Sequence, residues 1–188
     1  MVAMPFSEST LTEALSLARA VLLAAFNRAD APHVPASLSV DGACFVTLMT
    51  GGTLRGCIGS LEPRQSLGAD IVENARHAAF DDPRFPALQE RELESLEVEV
   101  SLLSPQEPMD VRSLDDLVRQ LRPGVDGLVM ACEGRRATFL PSVWAQLPEA
   151  ERFVAALQRK AGWRPGFWSP NMRCYRYETA HMRGPLME

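Results

Sequence analysis

The residues best suited to chemistry lie in one short stretch, positions 54–60, which reads Leu-Arg-Gly-Cys-Ile-Gly-Ser. Arg55 and Cys57 place a guanidinium and a thiol two positions apart. A neighbouring cation lowers the pKa of a cysteine, and the thiolate is the nucleophilic form. The pair therefore predicts either a nucleophilic Cys57 that Arg55 activates, or a site where Arg55 binds a small anionic ligand. A packed, unreactive cysteine is the structural alternative.

Glycines on both sides of the thiol favour a binding surface. Gly56 and Gly59 place no side chain beside Cys57, which suits a strand that a ligand or another backbone approaches closely, although glycine in a strand also marks a bulge. Ser60 adds a hydroxyl at the end of the motif. The predicted ligand-binding residues are therefore Arg55, Gly56, Gly59, Ser60 and, from a later strand, Glu99.

A β-hairpin is expected to position the motif. An apolar, β-branched run precedes it, and Gly51-Gly52 between the two is a strong signal for a two-residue hairpin loop. Regular pairing from that loop sets Cys57 opposite Val46 and Arg55 opposite Leu48. Because side chains alternate with a period of two, the thiol and the guanidinium are then expected on one face of the sheet.

Two further segments could bring charge to the motif. Residues 96–102 alternate apolar and polar, the pattern of a half-buried strand whose polar face carries Glu97 and Glu99. Either glutamate could act as a base for the thiol or pair with the guanidinium, and a solvated face is the structural alternative. Asp82 and Arg84 follow a predicted helix, where a surface turn with local ion pairs is favoured over a ligand-facing loop.

The rest of the chain predicts an α+β fold with a mainly antiparallel sheet and flanking helices. Apolar spacing of three or four residues indicates helices, and further strand patterns follow the motif. Consecutive hairpins without a regular βαβ rhythm disfavour a doubly wound sheet. The predicted helices cover 7–28, 63–80, 113–121 and 141–160; a second hairpin covers 128–140, a last strand covers 172–178, and residues 179–188 look like a C-terminal tail.

Composition limits the partners and the compartment. A net charge of −5 argues against a broad phosphate-binding surface, so nucleic acid is not an expected partner. The four cysteines show neither a C-x-x-C pair nor zinc spacing, and we predict no metal and no cofactor. Reduced thiols, an uncharged start over Met1 to Phe6 and no long apolar stretch fit a cytoplasmic protein without a membrane segment.

Longer stretches resemble a known family. The motif, the following Ala78-Ala79-Phe80-Asp81 and a strand ending at Leu103 look like the AMMECR-type domain family. Later matches are Gly127, the run 137–141, Lys160-Ala161-Gly162 and Tyr177, so the resemblance runs in order from about residue 10 to residue 178. The runs 124–127 and 138–144 are similar to its bacterial branch, called AmmeMemoRadiSam system protein A.

The resemblance implies a single AMMECR-type domain over residues 1–178, made of two closely packed lobes with a cleft near the motif. It also implies association with a Memo-type protein and a radical SAM protein. This chain has no C-x-x-x-C-x-x-C motif, so any radical chemistry would belong to a partner. Two hypotheses follow: a binding or accessory module that uses a cleft around Arg55 to Ser60, or a cysteine-dependent enzyme that uses Cys57 as nucleophile on a small anionic substrate.

Overall fold

The computed structural model of the protein describes residues 6–187. Residues 1–5, which contribute to the expectation of a cytoplasmic protein, lie outside the described residues, as does residue 188. The chain divides into two compact units. The first unit comprises the residues up to Ser104 together with those from Ala180 onward, and the second comprises Pro105–Thr179.

Helices and strands alternate irregularly along the described chain. In chain order they are α1 (Glu8–Ala25), β1 (Asp41–Thr50), β2 (Thr53–Gly59), β3 (Gln65–Ser66), α2 (Leu67–Phe80), β4 (Leu96–Leu103), β5 (Glu107–Met109), α3 (Leu114–Gln120), β6 (Gly127–Cys132), β7 (Arg135–Phe139), α4 (Ala150–Lys160), β8 (Arg173–Tyr177) and β9 (Thr179–Pro185). Short 3-10 helices cover Ala36–Leu38, Glu90–Ser95 and Pro141–Ala145.

The first unit is built on a five-stranded sheet in the order β2-β1-β4-β9, with β3 paired to β1. Helices α1 and α2 pack on one of its faces, and their apolar stripes form the core with the inward residues of the strands. In α2 the helical repeat Leu67, Ile71, Ala75 and Ala78 is buried, as its spacing predicts. The side chain of Ser66 caps this helix by accepting from the backbone N–H of Ala69 at 3.3 Å.

Residues 179–185 form the edge strand β9 and correct the expectation of a tail. Ala180 is buried and His181 is exposed, and the same alternation continues to buried Leu186. The backbone N–H of Leu186 donates to the carbonyl of Leu96 at 2.7 Å. The last residues of the described chain therefore belong to the sheet that carries the motif.

The second unit has its own four-stranded antiparallel sheet, in the order β5-β8-β6-β7, and its own core. Trp144 stacks on Phe153 with ring centroids 3.8 Å apart, and its indole N–H donates to the carbonyl of Asp126 at 2.7 Å. These rings join the buried faces of α3 and α4 to the sheet. The α+β prediction is confirmed, with two antiparallel sheets in the described chain in place of one.

None of the helices within residues 6–187 combines the length and the apolar character that crossing a bilayer requires.

Candidate functional site

The motif lies in β2, which pairs with β1 at one edge of the first sheet. The Gly51-Gly52 loop is confirmed: both residues have positive φ, and Met49 pairs with Leu54 as predicted. A β-bulge then shifts the register by one residue, so that Leu48 pairs with Gly56 and Thr47 pairs with Cys57. The predicted partners of Arg55 and Cys57 are therefore wrong.

Arg55 lies at the bulge, and its side chain contacts a carboxylate outside the sheet. Its Nε lies 2.7 Å from Oε1 of Glu92, and its Nη2 lies 3.2 Å from Oε2 of the same residue and 3.0 Å from the carbonyl oxygen of Pro86. The side chain of Arg55 is only 12% exposed. The hydrogen bonds from Arg55 hold the pKa of Glu92 below its usual range, against the effect of burial.

Arg55 is therefore a structural ion-pair partner in this structure. Its described hydrogen bonds go to Glu92 and Pro86 and do not reach Cys57, and the strand glutamates Glu97 and Glu99 are not its partners. Sequence reasoning missed Glu92. The available signal was the spacing of Gln89 and Glu92, which form a capping box at the start of the 3-10 helix Glu90–Ser95.

Cys57 is held through its backbone as well as its side chain. Its half-buried Sγ accepts a hydrogen bond from Oγ1 of Thr47 at 3.3 Å. Its backbone N–H donates to Oδ2 of Asp82 at 2.9 Å, and its carbonyl accepts from Nη2 of Arg84 at 3.1 Å. The unpaired donor and acceptor of an edge strand are thus both satisfied by side chains.

Asp82 and Arg84 form a clamp on this edge. The guanidinium of Arg84 contacts both carboxylate oxygens of Asp82, at 2.9 Å from Nε and 2.7 Å from Nη2. Asp82 is 4% exposed, so the expectation of a surface turn is wrong for this residue. The hydrogen bonds from Arg84, followed by the one from the Cys57 backbone, hold the pKa of Asp82 well below its usual range although burial opposes the shift.

Gly56 and Gly59 do not leave the predicted open space. A Cβ atom at Gly56 would collide with the carbonyl oxygen of Ala78 in α2, and one at Gly59 would collide with the ring of Phe45. The missing side chains let α2 and an aromatic ring of the protein itself approach β2. The expected close approach of another backbone is confirmed at Gly56, and the packing of the protein itself fills the space at both glycines in place of a ligand.

Ser60 belongs to a buried polar network. Its hydroxyl donates to Oδ1 of Asp70 at 2.7 Å, and Asp70 also accepts from the backbone N–H of Cys44 at 2.9 Å and from Nδ2 of Asn74 at 3.0 Å. Asp70 and Asn74 are buried residues of α2. The network fastens the end of the motif to α2 and to β1, which gives Ser60 a structural partner.

The motif does contribute to one polar row across the sheet. Thr47 pairs with Cys57 on one side and with Glu99 on the other, so the three side chains share one face. Buried Val46 and Val100 lie on the opposite face, toward the helices. We call the row of Cys57, Thr47 and Glu99 the polar row. Its residues are half-buried, and across the sheet they present a thiol, a hydroxyl and a carboxylate, in that order.

The four cysteines are free thiols. Cys44, Cys132 and Cys174 are buried, whereas Cys57 is half-buried. Burial raises the pKa of the Cys174 thiol to about 12, and burial, with the nearby charge of Asp70, raises that of Cys44 well above its usual value. Cys57 is therefore the cysteine best placed to meet solvent, a reagent or a partner. Within the described chain, no three His, Cys, Asp or Glu side chains are grouped as metal ligands.

Several archaeal proteins are similar to this chain in sequence. A protein of Methanothermobacter thermautotrophicus is 43% identical over 137 residues, which cover 72% of this chain and 71% of that protein. A protein of Thermoplasma acidophilum is 34% identical over 163 residues, which cover 84% and 78% of the two chains. Both relatives are archaeal, so this similarity does not assign the chain to the bacterial branch that its sequence resembles.

A solved structure has the same fold. The crystal structure of an uncharacterized protein from Pyrococcus horikoshii matches with a TM-score of 0.80 at 27% identity, and covers 96% of this chain and 94% of that one. The family model named AMMECR1 matches residues 15–182, which include the motif, the clamp and most of both sheets. This chain therefore belongs to the AMMECR1 family.

Proposed function

We propose that this chain is a cytosolic binding or accessory module of the AmmeMemoRadiSam type, which acts with a Memo-type protein and a radical SAM protein. The polar row on the face of the first sheet away from the helices carries this proposal. Four free cysteines support a reducing compartment. The resemblance of runs 124–127 and 138–144 to the bacterial branch supports the choice of partners.

The surroundings of the polar row favour binding because hydrogen bonds and an ion pair hold them in place. The Asp82–Arg84 clamp fixes both backbone groups of Cys57, and the Arg55–Glu92 ion pair and the Ser60 network fix the strand on either side. A surface that is held in one conformation loses little conformational entropy when a partner binds. The motif thus holds the surface in one conformation, and the side chains of the polar row would contact the partner.

The chemistry of this face favours a basic protein segment. Phe45 and Met49 are half-buried and flank Thr47 along β1 on the same face, so apolar contacts surround the polar row. Glu99 adds a carboxylate that attracts a lysine or arginine of the partner. A small anionic ligand on Arg55 is less favoured, because it would have to displace Glu92 from the guanidinium.

Copurification from the native host tests this proposal. The tagged wild-type chain should recover the Memo-type and radical SAM proteins, identified by mass spectrometry. Glu99→Arg should reduce that recovery at least about tenfold, because a like charge opposite a basic segment costs several kcal/mol. Glu94→Arg makes the same charge change at an exposed position of the 3-10 helix Glu90–Ser95, and it should leave recovery unchanged.

Two results would contradict this. One is repeated recovery of neither partner with the wild-type chain. The other is equal recovery with Glu99→Arg and with Glu94→Arg, provided that circular dichroism shows all three chains folded.

A cysteine-dependent enzyme is the second candidate, and the hydrogen bond from Thr47 favours it. The hydroxyl of Thr47 donates to Sγ of Cys57, a contact that favours negative charge on sulfur. Glu99 lies on the far side of Thr47, about 10 Å from Cys57 across two strand spacings, so it could act as a base only through a bridging group. In this function Cys57 would serve as the nucleophile toward a small anionic substrate. A free thiol ionises near pH 8.5. Alkylation of Cys57 by iodoacetamide at a clearly lower pH would favour this function. An alkylation rate that rises only near pH 8.5 would argue against it.

A further inference from the structure

A second candidate site lies in the second unit, at the end of the hairpin that β6 and β7 form. A cavity of about 530 Å³ opens there. Arg135, Arg136 and Arg173 line it, against the single carboxylate of Glu133 among its lining residues. We propose that this cavity binds a small phosphate monoester that carries a planar ring, such as a nucleoside monophosphate. The proposal involves none of the residues of the polar row.

Strand register brings two of these arginines to one place. Arg136 on β7 and Arg173 on β8 both pair with Ala131, on the strand between them. Directly paired residues share a face of the sheet, and two strand spacings put their Cα atoms about 10 Å apart. Ala131 contributes only a methyl group, so both guanidiniums have room to close on one anion above it.

The charge of this cavity contrasts with the chain as a whole, whose net charge is −5. A hydrogen bond partly fixes one of the two converging guanidiniums: Nη2 of Arg136 donates to Oε1 of Gln106 at 2.9 Å. Arg135 pairs with Cys132 and lies on the opposite face of the sheet, where its Nη1 donates to the carbonyl of Gly162 at 2.8 Å. A positioned guanidinium loses less entropy when it binds an anion. The cavity is thus prepared for negative charge before a ligand arrives.

A phosphate monoester fits two arginine forks better than a carboxylate does. Its three terminal oxygens can accept from both guanidiniums, whereas the two oxygens of a carboxylate are saturated by one bidentate arginine. The acidic balance of the chain disfavours a polymer of phosphates, whose binding relies on broad positive charge. Of the three kinds of anion compared, a single phosphate group on a small molecule therefore fits this cavity best.

Tyr175 supplies the reason for a planar ring. It follows Arg173 by two residues on β8, so it lies on the same face, and its half-buried ring lines the cavity. Aromatic side chains stack on the faces of nucleobases. A volume of about 530 Å³ is also in the range of small-molecule sites and far exceeds what a lone phosphate fills.

Isothermal titration calorimetry on the full chain tests the site with three probes: AMP, inorganic phosphate and adenosine. AMP should bind most tightly, since it alone offers both the phosphate and the ring. Arg173→Gln should weaken AMP binding at least about tenfold, the effect of one charge-assisted contact, and Arg136→Gln should act in the same direction. Tyr175→Ala should weaken AMP while it leaves inorganic phosphate unchanged.

Arg164→Gln is the matched control, because it removes one positive charge from an exposed position of the same unit. It should leave AMP affinity at the wild-type value. The proposal is overturned if AMP fails to bind at millimolar concentration, if adenosine or inorganic phosphate binds as tightly as AMP, or if Arg164→Gln weakens AMP as much as Arg173→Gln does. Thermal melts of each variant confirm that the compared chains are folded.

Discussion

Replacing Gly56 by alanine should lower the free energy of unfolding by about 3 kcal/mol or more. The new Cβ atom would collide with the carbonyl oxygen of Ala78, in the last turn of α2. That oxygen belongs to the backbone of a helix and has no rotamer to escape into, so α2 or β2 must move. Urea unfolding of the wild type and the variant measures the loss, provided that the unfolding free energy falls with urea concentration at the same slope in both.

Gly52→Ala provides the matched control for this prediction. A Cβ atom at Gly52 meets no atom within 4 Å, so the substitution costs only the strain of its φ of +78°. That strain is about 1 kcal/mol. If Gly56→Ala proves no more destabilising than Gly52→Ala, the close approach of α2 is not the reason for glycine in the motif.

Arg84→Met should produce the second large effect, a loss of about 2–3 kcal/mol at pH 7. The change leaves the buried carboxylate of Asp82 without its partner and removes the donor to the Cys57 carbonyl. Because the side chain of Arg84 is 54% exposed, water replaces part of the lost interaction, and the figure is lower than for a fully buried pair. Chemical denaturation at pH 7 measures the difference.

The pH dependence of that difference identifies Asp82 as its cause. In the wild type, the pKa of Asp82 is lower in the folded than in the unfolded state, so the stability that it contributes is present above about pH 4 and is lost as the pH falls further. In the variant, Asp82 keeps the hydrogen bonds from the backbone N–H groups of Cys57 and residue 84 but loses the guanidinium, the largest contribution that opposes burial. Its pKa in the folded state is then higher than in the wild type, and protonation at lower pH relieves part of the penalty. The deficit should therefore shrink as the pH is lowered from 7 toward 4.

Arg64→Met is the control, since it removes an exposed arginine and should change stability by no more than about 0.5 kcal/mol. A deficit in Arg84→Met that is constant from pH 7 to pH 4 would show that the clamp does not work through the charge of Asp82.

Local signals in the sequence predicted the hairpin but not its register. The Gly51-Gly52 loop depends on the backbone freedom of two adjacent glycines, which the local sequence shows directly. The bulge adjoins Gly56, which packs against Ala78 of α2, a residue more than 20 positions further along the chain. One inserted residue was enough to separate Arg55 from Cys57 and to place Thr47, in place of Val46, beside the thiol.

The clamp and the last strand escaped prediction for a related reason. A turn such as Asp81 to Arg84 is normally exposed, and the burial of Asp82 within it follows only once β2 is known to be an edge strand with free backbone groups. In β9 the inward residues are small or flexible, Ala180, Met182 and Gly184, between polar outward ones. This alternation was readable, but short polar edge strands resemble tails when their partner strand is unknown.

Alkylation of Cys57 in the presence and absence of the copurified partners tests the central claim most directly. The buried thiols Cys44, Cys132 and Cys174 serve as internal references that should stay unmodified in both samples. If the polar row is the binding surface, iodoacetamide should modify Cys57 first in the isolated chain and several times more slowly in the complex. Equal rates of Cys57 modification in the two samples would contradict the account.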